Sequence, residues 1–183
     1  MKQSKQLSRE QLQRKYHQNL VFNYSEYPTL DRWNFNYRSA DYIKSLVEWL
    51  KKNPEKKIFF YVHIPFCEQL CWFCTCSKFI TKNYKNVKNY MHDLHREIDL
   101  LFGLLKENNI KLNVRTLYFG GGSPTILNRD DLKELVDKLK NNFDFSKINE
   151  FTIETDPRRV DEDRLLFNNK VCGANRISFG MQD

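Results

Sequence analysis

With 183 residues, the chain can bury about two-thirds of its unfolded surface, so one folded domain is the default expectation. Its longest apolar run, residues 100–105, is far shorter than the roughly 18 to 20 residues that span a bilayer, which excludes a membrane-spanning helix. The formal charge of +7 permits nucleic-acid binding, and residues 1–20 carry five basic residues against one acidic residue, which is a weak signal. We therefore expect a solvated basic surface, with RNA contact as a minor alternative.

The predicted elements begin with a lead-in segment over residues 1–53, which precedes a second region over residues 54–183. Residues 1–38 show no clear period, and Ser39 can cap a helix that ends near Asn53. A strand is predicted next, from Lys57 to Ile64. One of its faces is apolar, whereas Phe59, Tyr61 and His63 on the other face place polar groups toward the strand end. That end is expected to face a site.

Helical patterns separate three further predicted strands. The strands are Val114–Phe119, Glu150–Thr155 and Asn175–Met181, and the helices lie at about 87–105, 129–139 and 161–167, the second of them capped by Asn128. Strands that alternate with helices predict an α/β fold with a parallel sheet and right-handed crossovers. We expect about four strands of a partial TIM-like barrel, with functional groups at the strand C-termini.

A cysteine motif follows the first predicted strand. Cys67, Cys71 and Cys74 stand at CxxxCxxC spacing, and Cys76 follows them. Three thiolates at this spacing fit one iron-sulfur cluster, and a cubane held by only three protein sulfurs leaves one iron open for a small ligand. A four-cysteine zinc site that includes Cys76 is the alternative, although zinc sites usually split their ligands into two distant pairs. Cysteines crowded into one segment indicate a reducing compartment, so we expect a cytoplasmic protein.

Other unusual residues also stand where predicted strands end. Gly120–Gly122 and Ser123 follow the second strand, Glu154 ends the third, and Gln182 ends the fourth. The carboxyl ends of parallel strands meet at one edge of a sheet. These residues and the cysteine segment are therefore expected to form one site.

The same segments carry a family resemblance. Residues 61–67, Tyr-Val-His-Ile-Pro-Phe-Cys, followed by CxxxCxxCxC, resemble the radical S-adenosylmethionine (SAM) enzymes, specifically the oxygen-independent coproporphyrinogen III oxidases. Residues 120–125, 154–158 and 175–183 resemble later motifs of that family in order and approximate spacing, and residues 24–29 resemble its N-terminal segment. The resemblance covers the chain from about residue 16 to its end.

The resemblance implies cofactors and the residues that hold them. Cys67, Cys71 and Cys74 would ligate a [4Fe–4S] cluster whose open iron binds SAM. Contacts to this SAM would come from three places: Tyr61 in the first strand, Gly121, Gly122 and Ser123 after the second strand, and Glu154 at the end of the third. Ser123 departs from the threonine that is usual in the family. Phe73 and Gln182 match positions that contact a second SAM.

The resemblance also implies a reaction and partners. A 5′-deoxyadenosyl radical would take hydrogen from propionate side chains of coproporphyrinogen III, and two propionates would become vinyl groups to give protoporphyrinogen IX. The implied partners are the porphyrinogen substrate and a flavodoxin- or ferredoxin-type reductant, with a monomer expected. Because members of the family are more than twice as long, we expect a truncated product or fragment whose activity is doubtful.

Two other functions stay open at this point. Heme chaperones of the same superfamily share CxxxCxxC but typically carry phenylalanine where this chain has Cys76, so Cys76 favours the oxidase. A cluster-carrying module that acts with a partner is the third hypothesis. His63 is either a hydrogen-bonded structural group or a site residue, and Cys172 is expected to be a packing residue.

Overall fold

The computed structural model describes residues 36–72, 74 and 76–180, together with positions 8, 11, 32 and 34. The chain divides into two units, residues 1–43 and 44–183. The motif at residues 24–29 and the two predicted contacts to a second SAM, Phe73 and Gln182, lie outside the described residues.

Helix α1 spans Ser39–Lys52. Its start differs by one position from the prediction. The backbone N–H of Arg38 donates to Asp41 Oδ2 at 2.9 Å, and the backbone N–H of Tyr42 donates to the Arg38 carbonyl at 3.0 Å. Arg38 therefore occupies the cap position, and the Asp41 carboxylate satisfies its N–H as in a capping box. Ser39 is the first helical residue.

Four parallel strands form the main sheet. In spatial order they are β1 (Ile58–Ile64), β4 (Val114–Gly121), β5 (Glu150–Thr155) and β6 (Arg176–Phe179); the short strands β2 (Phe66–Cys67) and β3 (Phe79–Ile80) lie outside this sheet. The connecting helices are α2 (Tyr84–Glu107), α3 (Arg129–Lys140) and α4 (Glu162–Leu166), with a π-helix at Phe167–Cys172. The α/β fold with a parallel sheet is confirmed.

Two features of the structure, a pair of short strands and a π-helix, were not predicted from the sequence. Two-residue strands, β2 (Phe66–Cys67) and β3 (Phe79–Ile80), pair in parallel beside the main sheet. The last helix continues past the predicted end as the π-helix, which stops at Gly173 with φ 89°. In the described part of the chain, no helix combines the length and apolar character that a membrane span needs.

The apolar core lies on one side of the main sheet. The sheet contributes alternate residues such as Val62, Phe119 and Ile153, and α2 and α3 contribute residues at helical spacing, all nearly inaccessible to solvent. Cys172 belongs to this core and is fully buried, which confirms its predicted packing role. The opposite face of the sheet carries a different set of side chains, because alternate strand residues point to opposite sides.

A buried carboxylate joins the starts of α2 and α3. Asn128 caps α3 as predicted, since its side chain accepts the Asp131 N–H at 2.8 Å. The Asp131 side chain, which is 3% exposed, accepts hydrogen bonds from the Tyr84 hydroxyl and the Lys88 ammonium group. Tyr84 also accepts the Asn128 backbone N–H at 3.0 Å. This network fixes how the two helices pack against each other.

Candidate functional site

The segment that carries the cysteines is a loop between β2 and β3. The Phe79 N–H donates to the Pro65 carbonyl at 2.6 Å, and the Thr81 N–H donates to the Cys67 carbonyl at 2.9 Å. These two bonds close the base of the loop. Within it, the Cys74 N–H donates to the Cys71 carbonyl at 3.1 Å, which forms a turn between two predicted ligands. We call residues 67–80 the cysteine loop.

The three predicted ligand cysteines are free thiols, and each is half-buried. Burial, and then the nearby Cys74 and Cys71, raise the pKa of Cys67 to about 11. The three thiols are thus electrostatic neighbours. In the described part of the chain, however, no three or more His, Cys, Asp or Glu side chains form a group that could hold a metal ion. The structure brings the thiols onto one loop without arranging them as a ligand set.

Tyr61 and His63 form a pair on the face of the sheet opposite the core. The Tyr61 hydroxyl lies 2.9 Å from His63 Nδ1, and His63 Nε2 lies 3.2 Å from the Ser77 carbonyl oxygen in the cysteine loop. A carbonyl oxygen can only accept, so Nε2 donates to Ser77, and the phenol of Tyr61 pairs with Nδ1. His63 therefore links β1 to the cysteine loop.

Glu154 is held at the end of β5 by two donors. Its Oε1 accepts the Tyr118 hydroxyl at 2.7 Å, and its Oε2 accepts the Gly121 N–H at 3.1 Å. Tyr118 in turn stacks on Tyr61, with ring centroids 5.9 Å apart. Burial, and then the Glu154 carboxylate, raise the pKa of Tyr61 to about 12. The phenol is therefore neutral at physiological pH, and the carboxylate keeps lone pairs for a further donor.

The glycine run is packed against the segment that joins β1 and β2. Gly121 has φ +116°, and a Cβ there would lie 2.6 Å from His63 Cε1. A Cβ at Gly122 would lie 2.7 Å from the Phe66 carbonyl oxygen. The Gly122 N–H also donates to the Ile64 carbonyl at 2.9 Å. Both glycines are thus required by packing within the protein, a reason that the sequence analysis, which named them as SAM contacts, did not identify.

Ser123 follows the glycine run and is buried at 8% exposure. Its Oγ lies 2.7 Å from Thr125 Oγ1, and its N–H donates to the Phe66 carbonyl at 2.9 Å. Both side-chain and backbone polar groups of Ser123 thus have partners within the protein. Cys76 is exposed in the cysteine loop.

Two arginines that the sequence analysis did not select connect the end of β5 to the cysteine loop. Arg158 Nη2 lies 3.5 Å from Cys71 Sγ, and Arg159 forms an ion pair with Glu68. Asp156 holds Arg158 through two side-chain hydrogen bonds, of 2.9 and 2.7 Å. The available signal was the Asp-Pro-Arg-Arg sequence directly after β5, of which the first three residues lie inside the motif noted at residues 154–158.

Comparison with known proteins identifies a family and several relatives of this chain. Residues 61–183 match the model of the radical SAM superfamily. An oxygen-independent coproporphyrinogen III oxidase from Mannheimia haemolytica is 39% identical over 134 residues, which cover 73% of this chain and 86% of the relative. The enzyme of the same name from Salmonella typhimurium is 34% identical over 160 residues, which cover 87% of this chain and 33% of the relative.

A solved structure, coproporphyrinogen III oxidase from Escherichia coli, described as a radical SAM enzyme, superimposes with a TM-score of 0.74 at 32% identity. The match covers 88% of this chain and 35% of that chain. The chain thus spans about a third of the length of the Salmonella and Escherichia proteins. On the family match, the identity to the Mannheimia protein and the shared fold, the chain belongs to the radical SAM superfamily, with oxygen-independent coproporphyrinogen III oxidases among its relatives.

Proposed function

We propose that this chain holds a [4Fe–4S] cluster through Cys67, Cys71 and Cys74 and binds SAM beside it. We further propose that it does so as part of an oxygen-independent coproporphyrinogen III oxidase, an oxidoreductase of porphyrin biosynthesis. The substrate would be coproporphyrinogen III, and two of its propionates would become vinyl groups, each losing a hydrogen atom, carbon dioxide and one electron that passes to an acceptor. The relatives bear the name of this activity, and the shared motifs support its transfer to this chain.

One observation carries the proposal. Three free thiols lie on one loop, and that loop is hydrogen-bonded through His63 to the end of the strands where Tyr61 and Glu154 lie. The donor set fits the group: thiolates are the ligands of iron-sulfur clusters, and three of them leave one iron for a ligand with nitrogen and oxygen donors. The thiols would lose their protons when iron binds.

The residues around the cysteine loop have roles that follow from their chemistry. Glu154, fixed by Tyr118 and Gly121, presents a carboxylate that can accept from an ammonium group or from ribose hydroxyls. The ring of Tyr61, 46% exposed on the side of the sheet away from the core, offers an apolar surface for a bound ligand. Gly121 follows on the neighbouring strand, where its N–H donates to Glu154, and we propose that Gly122 and Ser123 continue this wall of the SAM site.

A cluster held by Cys67, Cys71 and Cys74 would supply the one-electron reduction of SAM on which hydrogen removal from a propionate side chain depends. We propose a second SAM contacted by Phe73 and Gln182, and a small flavodoxin- or ferredoxin-type protein as the electron donor. These two proposals rest on the family motifs.

Anaerobic reconstitution with iron and sulfide tests the metal site. We expect about four irons per chain, a broad absorbance near 400 nm that dithionite bleaches, and SAM-dependent release of 5′-deoxyadenosine. Cys67→Ser is expected to lose most of the iron, whereas Cys76→Ser is expected to keep it. Stoichiometric zinc that requires Cys76 as well as the other three cysteines would instead establish the zinc site.

The substrate assignment needs a separate test. Coproporphyrinogen III is incubated with the reconstituted chain, SAM and a reductant, and the products are separated by chromatography. Vinyl-bearing products support the oxidase. Stable heme binding without SAM cleavage would contradict the oxidase and favour a chaperone, whether or not a Cys76→Phe variant also binds heme.

A further inference from the structure

The guanidinium group of Arg158 donates a hydrogen bond to a sulfur of the cysteine loop. Its Nη2 lies 3.5 Å from Cys71 Sγ, within hydrogen-bonding range for sulfur. Cys71 is the middle cysteine of the three proposed cluster ligands. The two residues are far apart in the sequence, and the end of β5 brings them together.

The position of Arg158 is fixed from its own side of the contact. The Nε atom donates to Asp156 Oδ1 at 2.9 Å, and Nη2 donates to Asp156 Oδ2 at 2.7 Å. The Arg158 backbone N–H donates to Asp156 Oδ1 at 3.0 Å, so the same carboxylate also caps the short 3₁₀ turn Pro157–Arg159. A fork held by two bonds keeps its remaining N–H groups in a defined direction, which a single-point lysine contact would not do.

An N–H donor changes the electronic properties of a cluster through the ligand sulfur that it contacts. Reduction adds negative charge that is shared by the sulfurs, and hydrogen bonds to those sulfurs, together with the local charge, set the reduction potential. A cationic donor stabilises the reduced form more than the oxidised form, and thus raises the potential.

We propose that Arg158 is a positioning residue that raises the reduction potential of the cluster through its hydrogen bond to Cys71 Sγ, with Asp156 holding it in place. The inference rests on the proposed function, because it assumes that Cys71 ligates the cluster. It gives Asp156 and Arg158, which follow β5, a role distinct from that of Glu154 at the end of β5.

Arg159 provides a matched control in the neighbouring position. It is also an arginine paired with one carboxylate, Glu68, and within the described residues its side chain makes no hydrogen bond to a cysteine sulfur. Arg158→Met removes the charge and the donor but keeps an unbranched stem, and Arg159→Met makes the same chemical change next to it. Arg158→Lys keeps the charge and loses the fork. All three are made in the whole chain and reconstituted anaerobically.

The test is the midpoint potential of the cluster, measured by a dithionite titration followed by electron paramagnetic resonance. At a fixed potential, Arg158→Met is expected to lower the ratio of reduced to oxidised cluster about tenfold, which is about 59 mV for a one-electron couple. Arg158→Lys is expected to shift it in the same direction by less, and Arg159→Met is expected to leave it within about twofold of the wild type.

Equal shifts in the two methionine variants would overturn the proposal, because net charge alone would then explain them. Unchanged potentials in both Arg158 variants would overturn it too. If Arg158→Met takes up no iron, the lysine variant decides; if neither takes up iron while Arg159→Met does, Arg158 is a structural requirement and the tuning role is wrong. A wild-type chain that forms no cluster contradicts the proposed function itself.

Discussion

Replacement of Gly121 by alanine tests how the glycine run is fixed against His63. The added Cβ would meet the imidazole ring, with 2.6 Å to Cε1 and 2.7 Å to Nδ1, and the backbone has φ +116°. An alanine at positive φ costs about 1 to 2 kcal/mol, and overpacking a fixed neighbour costs about 1 to 3 kcal/mol. We therefore expect Gly121→Ala to lower the free energy of unfolding by about 2 to 5 kcal/mol.

Two other glycines separate these terms. Gly173 also has positive φ, at +89°, but a Cβ there would have nothing within 4 Å, so Gly173→Ala should cost only the backbone term. Gly103 lies within α2 and also has open space around it, so Gly103→Ala should stabilise the helix by about 0.5 to 1 kcal/mol. The difference between Gly121→Ala and Gly173→Ala measures the contact with the ring.

Urea denaturation followed by circular dichroism gives the three free energies, and a double-mutant cycle isolates the contact. His63→Ala removes the ring, so combining it with Gly121→Ala should recover about 1 to 3 kcal/mol relative to the sum of the single variants. If Gly121→Ala costs no more than Gly173→Ala, the ring does not occupy the space that the glycine leaves, and the packing argument is wrong. Additive single variants would refute it equally.

The buried carboxylate of Asp131 and the half-buried imidazole of His95 give two further predictions. Asp131→Ala should lower the free energy of unfolding by about 3 kcal/mol, because it removes charge-assisted hydrogen bonds at the start of α3, whereas Tyr84→Phe should cost about 1 kcal/mol; equal costs in urea denaturation would contradict this division. Burial lowers the pKa of His95 below its ordinary value of 6.5, so the unfolded chain binds a proton more readily. The free energy of unfolding should therefore fall as the pH decreases below about 6.5, by at most about 1.4 kcal/mol per pH unit, and His95→Gln should remove that slope. A slope that persists unchanged in His95→Gln would assign it to other groups.

The main sheet and its helices were predictable because their signals are local. Period-two and helical spacing of apolar residues located all four main strands and the helices α2 and α3, since each pattern follows from burial of one face. Asn128 was recognised as a cap because its type and position before an acidic first turn are a local signature. The polar face of β1 was also visible, because Tyr61 and His63 alternate with apolar residues.

The finer features depend on contacts between distant segments. The pairing of β2 with β3 involves two residues on each side, too few for any period to show. The approach of Arg158 to Cys71 depends on where β5 ends relative to the cysteine loop, which no local pattern encodes. The π-helix adds one residue per turn to a helix whose sequence looks ordinary, and its end at Gly173 was the only local sign.

The way in which the cysteine loop is attached has a consequence for how iron could be loaded. Two backbone hydrogen bonds close its base, and His63, Arg158 and Arg159 add one link each from the sheet side. Net contributions of about 1 kcal/mol per bond are small beside the 5 to 15 kcal/mol that typically separates folded from unfolded chains. One core residue, Phe66, packs its ring against Phe79 in the loop, with centroids 6.3 Å apart, and the remaining core lies on the other side of the sheet. Opening of the loop breaks these local links and leaves the main sheet packed, so we expect the proposed cluster to be inserted, lost and rebuilt without global unfolding.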